Sequence, residues 1–370
     1  MATHRTPEIT LTTSPDFGTL AEEWRSLEAR AGEFSFFQSW TWTGCLAEER
    51  FDAPVLVRAS LGGRTIGLAL LNRRRGALHL GQSGEGERDG IYIEHNAPLL
   101  AADAPPGLAG QMLAACWDER GTRRLVLPGV PVSLAAEAGG LALAERRQAA
   151  PFVDLAAVTA GGTDFLGTRS RNTRAQLRRS LRHFARAGPV TLRRPESDAQ
   201  AAAWLEEMIT LHGEAWRRRG LPGAFAGAFM RRFHAALLPA ARARGEVDLL
   251  RLEAGDELLG VLYNFRHRGT VYAYQSGFRL FPGEPDARPG LVAHALAIEQ
   301  ARRDGLVRYD FLAGDARYKR SLATGEVELA WVELVRPGLA GRVEVGLRRA
   351  LSGVRARLRA PSGGFGGGSA

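Results

Sequence analysis

Lysine is almost absent from this chain. Of 49 basic residues in 370, one is lysine, Lys319, and the other 48 are arginine. A compact ammonium and a planar guanidinium are not interchangeable where a charge must fit beside a reacting atom. The position that keeps lysine is therefore marked for chemistry. Cysteine is nearly as scarce: Cys45 and Cys116 fit neither a disulfide framework nor a metal site, and their apolar surroundings read as core. No apolar run reaches the length of a membrane-spanning helix. The opening Met1–Glu8 has no apolar stretch, so no secretory signal is read there and a cytoplasmic location is expected. No glycine-rich phosphate loop or nucleic-acid motif occurs, and DNA is not an expected partner.

What is present is a soluble composition, 45% apolar and 24% charged, long enough for two ordinary domains. The domains read as copies of each other. Val55–Asn72 reads as two strands around Gly62-Gly63, and Val247–Asn264 as two strands around Ala254-Gly255-Asp256. Pro106–Gly121 and Pro289–Gly305 each begin a helix at Pro-Gly-Leu, close it at a glycine, and lead into strands at Arg124 and Arg308. The offset reads as near 183 to 185 residues. The expectation is a mixed α/β protein with domains at 1–150 and 151–335, a basic amphipathic helix at 336–360 and a flexible tail at 361–370.

Only the second copy carries the run Tyr309-Asp310-Phe311-Leu312, a small pair, Asp315, and then Tyr318-Lys319. That pattern is a buried strand ending at a polar loop, where α/β proteins place chemistry. The first copy becomes a scaffold or the wall of a shared cleft. Between the copies, Arg169–Arg194 holds nine arginines, His183 and no acid, as much positive charge as the net +9 of the whole chain. Arg174, Arg178, Arg182 and Arg186 share one helical stripe opposite Leu177, Leu181 and Phe184. The stripe is either a solvated face or a landing surface for a phosphate-bearing polyanion. In the closing helix, Leu347, Leu351, Val354 and Leu358 are flanked by Arg348, Arg349, Arg355, Arg357 and Arg359. That helix docks on its own domain or lies on an acidic membrane surface.

Paired α/β copies, an arginine-rich joining helix and Tyr309–Lys319 near the end resemble the CelD/BcsL-type branch of the GNAT acyltransferase superfamily, which is related to the Fem-type peptidyltransferases. The resemblance runs from Phe36–Trp42 through Ser170–Arg179 and Pro289-Gly290 to Val335. It implies two GNAT-like folds sharing a cleft and transfer of an acyl or aminoacyl group to an amine acceptor, in envelope-polysaccharide or small-metabolite synthesis. It implies acyl-CoA as co-substrate and no permanently bound cofactor. Tyr318-Lys319 falls on the aromatic–lysine pair of Fem-type active sites, where the cation would offset charge on the carbonyl oxygen. Tyr274, Gln275 and Ser276 fall on the strand that GNAT enzymes splay for the pantetheine arm. Asp310 could take the amine proton or bond a loop amide. His294 is a base or a core histidine, His212 and Trp216 face the cleft or pack together, and Asp315 stands beside the loop. Where the family's phosphate loop would lie, Asp286–Ala293 has a proline and one glycine, leaving Arg288 and Gly290 to meet a donor. Proline removes an amide, which keeps an aminoacyl-tRNA donor open as an alternative. A non-catalytic basic binding protein on the same fold is the other alternative.

Overall fold

The computed structural model describes residues 6–162 and 164–359; the expected tail at 361–370 lies outside them. The first half supplies β1 (Glu8–Thr13), α1 (Phe17–Glu28), β2 (Pro54–Leu61), β3 (Arg64–Arg74), β4 (Ala77–Leu80), β5 (Leu99–Leu100), α2 (Leu108–Ala115), β6 (Arg124–Pro131) and β7 (Leu141–Asp154). The second supplies α3 (Arg171–Phe184), β8 (Val190–Arg193), α4 (Asp198–Arg217), α5 (Ala228–Ala243), β9 (Val247–Ala254), β10 (Glu257–His267), β11 (Thr270–Phe278), α6 (Pro289–Arg303), β12 (Arg308–Asp310), α7 (Arg317–Leu322), β13 (Gly325–Val335) and α8 (Leu339–Arg359). Gly62 and Gly63, at φ +60° and +80°, close the β2–β3 hairpin in a conformation that side chains other than glycine, asparagine and aspartate resist. None of the described helices is long and apolar enough to cross a membrane.

All thirteen strands join one mixed sheet in the order β1-β2-β3-β4-β6-β13-β7-β12-β11-β10-β9-β8, with β5 on β3. The order is a mirror about its centre, as two copies joined edge to edge about a two-fold axis would give, but the two last strands have changed sides. β7, from the first half, pairs with β12 of the second; β13, from the second, pairs with β6 of the first. β7 and β13 then pair with each other from Gly325–Phe152 to Val335–Leu141. Position 150 falls inside the exchanged strand β7. The repeat offset is not constant: β3 and β10 start 193 positions apart, β6 and β12 184. The first copy is longer between its hairpin and its later strand, and that extra chain has a structural job.

In each copy the parallel pair leading to the loop is only three residues long. β4 meets β6 at Ala77–His79, and β11 meets β12 at Thr270–Tyr272. Beyond those residues the strands diverge and leave a wedge. In the first copy Asn96 fills it: its side-chain amide donates to Leu80 O at 3.1 Å and Pro128 O at 3.2 Å, and its backbone amide to Gly129 O at 2.9 Å. Gly129 sits at φ +61°, with Ile93 O 2.5 Å from where a Cβ would stand. Asn96 is buried, so Asn96→Ala leaves two interior carbonyls without their donor. It should cost about 1–3 kcal/mol, read as a lower urea midpoint at unchanged slope.

Three apolar clusters flank this sheet. One lies under the first half and two cover the faces of the second. Phe36, Phe37 and Trp42 belong by sequence to the first half but pack with Phe233, Phe265 and Tyr274 of the second. This aromatic brace and the strand exchange make the two copies one body.

Candidate active site

The second copy's wedge stays open and continues into a cleft of about 1050 Å³. β11 lines it with Ala273–Ser276, the loop after β12 with Phe311–Ala313, and α6 and α7 with their first turns. The far wall comes from the first half: Tyr92, Ile93 and Glu94, together with Arg146 and Gln148 of β7. Trp331 of β13 stands beside Arg146, whose guanidinium lies 4.1 Å from the indole centroid. The cleft is thus shared between copies.

Lys319 sits on the short helix α7, one turn past the loop. Its ammonium donates to Leu312 O at 3.1 Å and Ala313 O at 2.9 Å. An ammonium carries three donors, so one remains for a ligand. Burial lowers the pKa of Lys319, while the carboxylates of Glu94 and Asp310 oppose that shift. The loop it holds is strained: Leu312 has φ +59°, which a β-carbon disfavours. Two of its amides are pinned by carboxylates, Leu312 N–H by Asp310 at 2.8 Å and Ala313 N–H by Glu94.

Asp310 is buried beneath that loop rather than in the cleft. Arg308 Nε approaches it at 3.1 Å, and His95 Nε2 lies 3.3 Å away without hydrogen-bond alignment. It bonds a loop amide, the structural one of its two readings. Glu94 does reach the cleft, and burial above all raises its pKa.

The other sequence candidates divide by the company they keep. Tyr318 lines the cleft and stacks on His294 at 4.9 Å, and burial pushes its hydroxyl up to about 12. His294 also touches the cleft, but its Nδ1 meets Tyr309 OH at 2.9 Å, and burial, helped by Lys319, pushes it down to about 3. It is neutral at working pH. His212 has both nitrogens occupied, Nδ1–H donating to Ser276 O at 3.0 Å and Nε2 accepting from Ala224 N–H at 3.2 Å. It fixes the strand's edge, with Trp216 packed 5.8 Å away. Tyr274 donates to Ile91 O and contacts His234, tying the first-half loop to β11. Gln275, Ser276, Arg288 and Gly290 all line the cleft. Arg288 is held by Gln176 at 2.8 Å. Val292 N–H returns to Arg288 O, whereas the Gly290 and Leu291 amides have no partner among the described residues.

Three candidates stand elsewhere. Leu177 and Phe184 fix the buried side of α3, which turns Asn172, Thr173 and Gln176 to the cleft and the arginine row away from it. Arg174 bonds Gly167 O and Arg169 O; Arg178 is exposed. Asp315 pairs with Arg320 on the surface. Among the described residues no cluster of histidine, cysteine, aspartate or glutamate could hold a metal. Glu94, Arg146 and Trp331 were not among the sequence candidates. The two positive-φ residues around Glu94, Tyr92 at +47° and His95 at +48°, are conformations that the sequence does not announce.

Residues 171–320 match a family described as an acetyltransferase (GNAT) domain. No curated protein matches the chain. Among solved structures it is similar to FemX, with a TM-score of 0.57 and 12% identity over 87% of this chain and 97% of that one. It is also similar to the C-terminal domain of a putative lysylphosphatidylglycerol synthetase from Agrobacterium fabrum, with a TM-score of 0.53 and 14% identity over 95% of this chain and 100% of that domain. The L-PGS structure from Bacillus licheniformis follows, with a TM-score of 0.51 and 11% identity over 90% and 96% of the two chains. At such identities these likenesses are of fold. Residues 171–320, around Lys319, thus match an acetyltransferase (GNAT) domain, and the fold across both halves is similar to that of FemX and the two synthetase structures.

Proposed function

We propose that this enzyme transfers an acyl group from a coenzyme A thioester to an amine. The observation that carries the reading is the asymmetry of the two wedges: Asn96 fills the first, while the second opens onto a helix N-terminus with free amides. The edge of β11 from Ala273 to Gln275, ahead of the Ser276 carbonyl that His212 occupies, would pair with the pantetheine arm. Gly290 and Leu291 amides, with Arg288 beside them, would meet the pyrophosphate. The thioester carbonyl then lies toward Lys319, whose spare donor stabilises the oxyanion as the amine adds. Glu94 takes the proton that the amine releases, the carbon–sulfur bond breaks, and the proton passes to the departing thiolate.

An aminoacyl-tRNA donor is the second reading, favoured by Pro289, which removes one amide at the pyrophosphate position. The exposed Arg178 and its row would then contact the nucleic-acid backbone. Calorimetry separates the two. Coenzyme A should bind the parent, and Gly290→Trp should abolish that binding. A Cβ at position 290 already lies 3.2 Å from the Phe278 ring, so an indole must turn into the cleft. Heat from deacylated tRNA alone, falling steeply with salt, would overturn the thioester reading.

A further inference from the structure

Among the described residues, helix α8 meets the sheet along one side. Gly341 is buried, Glu344 pairs with Arg124, and Arg348 reaches Glu333 at 4.0 Å. The other side carries Leu339, Val343, Leu347 and Leu351, one turn apart and 83, 61, 61 and 62% exposed. They make up half of the exposed large apolar residues described and lie in a single row. The side chains of Val354 and Leu358, expected to extend that row, lie outside those described. By sequence the helix carries six arginines and one acid, Glu344, already paired, and of the arginines Arg342 and Arg348 are among the described side chains.

An apolar ridge flanked by arginines fits an anionic bilayer, in which the leucines enter the acyl boundary and the guanidiniums meet the headgroups. Against a second copy of itself the same arginines would repel. We propose that α8 lies in the plane of an anionic lipid surface. Its position gives that contact a purpose. Side chains alternate along a strand, so Trp331, in the cleft, and Glu333, beside α8, share one face of β13. Tyr92 and Leu280, both exposed, stand at the same cleft. A membrane-seated α8 therefore sets the cleft on the lipid side, within reach of an amine presented at the surface.

The test is co-sedimentation of the full chain with vesicles of phosphatidylglycerol and phosphatidylcholine, or of phosphatidylcholine alone. The parent should bind the mixed vesicles roughly tenfold or more tightly than the neutral ones, and less so as salt rises. Leu347→Glu/Leu351→Glu should lose roughly tenfold or more of that binding with an unchanged thermal melt, since both side chains are exposed. Equal vesicle binding by the variant would overturn the proposal, as would a parent that ignores both vesicles. So would a parent dimer that the variant converts to monomer. The readout is binding rather than turnover, so it stands or falls apart from the donor assignment.

Discussion

Lys319→Ala should lower kcat/KM by about 10²-fold or more, a typical loss for one oxyanion donor. Two of the ammonium's three donors are committed to Leu312 O and Ala313 O, which hold it at the edge of the cleft. The fold should survive, because those carbonyls border the cleft and water can replace the ammonium there. Lys319→Arg should recover less than about tenfold of the loss, since the broad planar fork cannot occupy an ammonium's place. A Cβ at Gly314 would already lie 3.2 Å from Nζ, so no slack exists on that side. The alkaline limb of the pH profile belongs to the same residue. Burial lowers its pKa, so activity should fall below the ordinary lysine value of 10.5 as the cation is lost. Thiol release with an acyl-CoA and an amine panel measures all three effects. A fully active arginine variant would remove Lys319 from the mechanism.

The residues that announced themselves in the sequence did so through local rules. Glycine punctuation and apolar runs are short-range signals, and they located both hairpins. Proline at the first turn marked α6, where Pro289 needs no amide partner. The exchange of β7 and β13 left no such trace. A strand's alternation states which side is buried, not which strand lies alongside. Arg174–Arg186 behaved similarly: four-residue spacing shows that charges share a face, but Leu177 and Phe184 decide where that face points. Glu94 was illegible for a related reason. Its environment comes from Ala313 and Lys319, more than 200 positions along the chain, and exists only because the first copy's extra segment folds over the second copy's wedge.

Glu94→Gln should reduce kcat by about 10² to 10⁴-fold, the range of one general base, while KM changes little. Glutamine can still accept the Ala313 N–H through its carbonyl oxygen, so the loop keeps its anchor and only proton transfer is lost. The parent's rate should rise with pH as Glu94 ionises, at a value lifted above the ordinary glutamate 4.5 by burial. The variant should lack that acid limb. Stability should move the opposite way. A carboxyl whose folded pKa is raised holds its proton more tightly when folded, so its contribution is present below the unfolded value and is lost as pH rises through the folded one. Glutamine mimics the protonated form at every pH. At neutral pH the variant should therefore melt at or above the parent's temperature while turning over far more slowly. A residue with a purely structural role would lose melting temperature and rate together. An unchanged acid limb in the glutamine variant would assign the proton to another group.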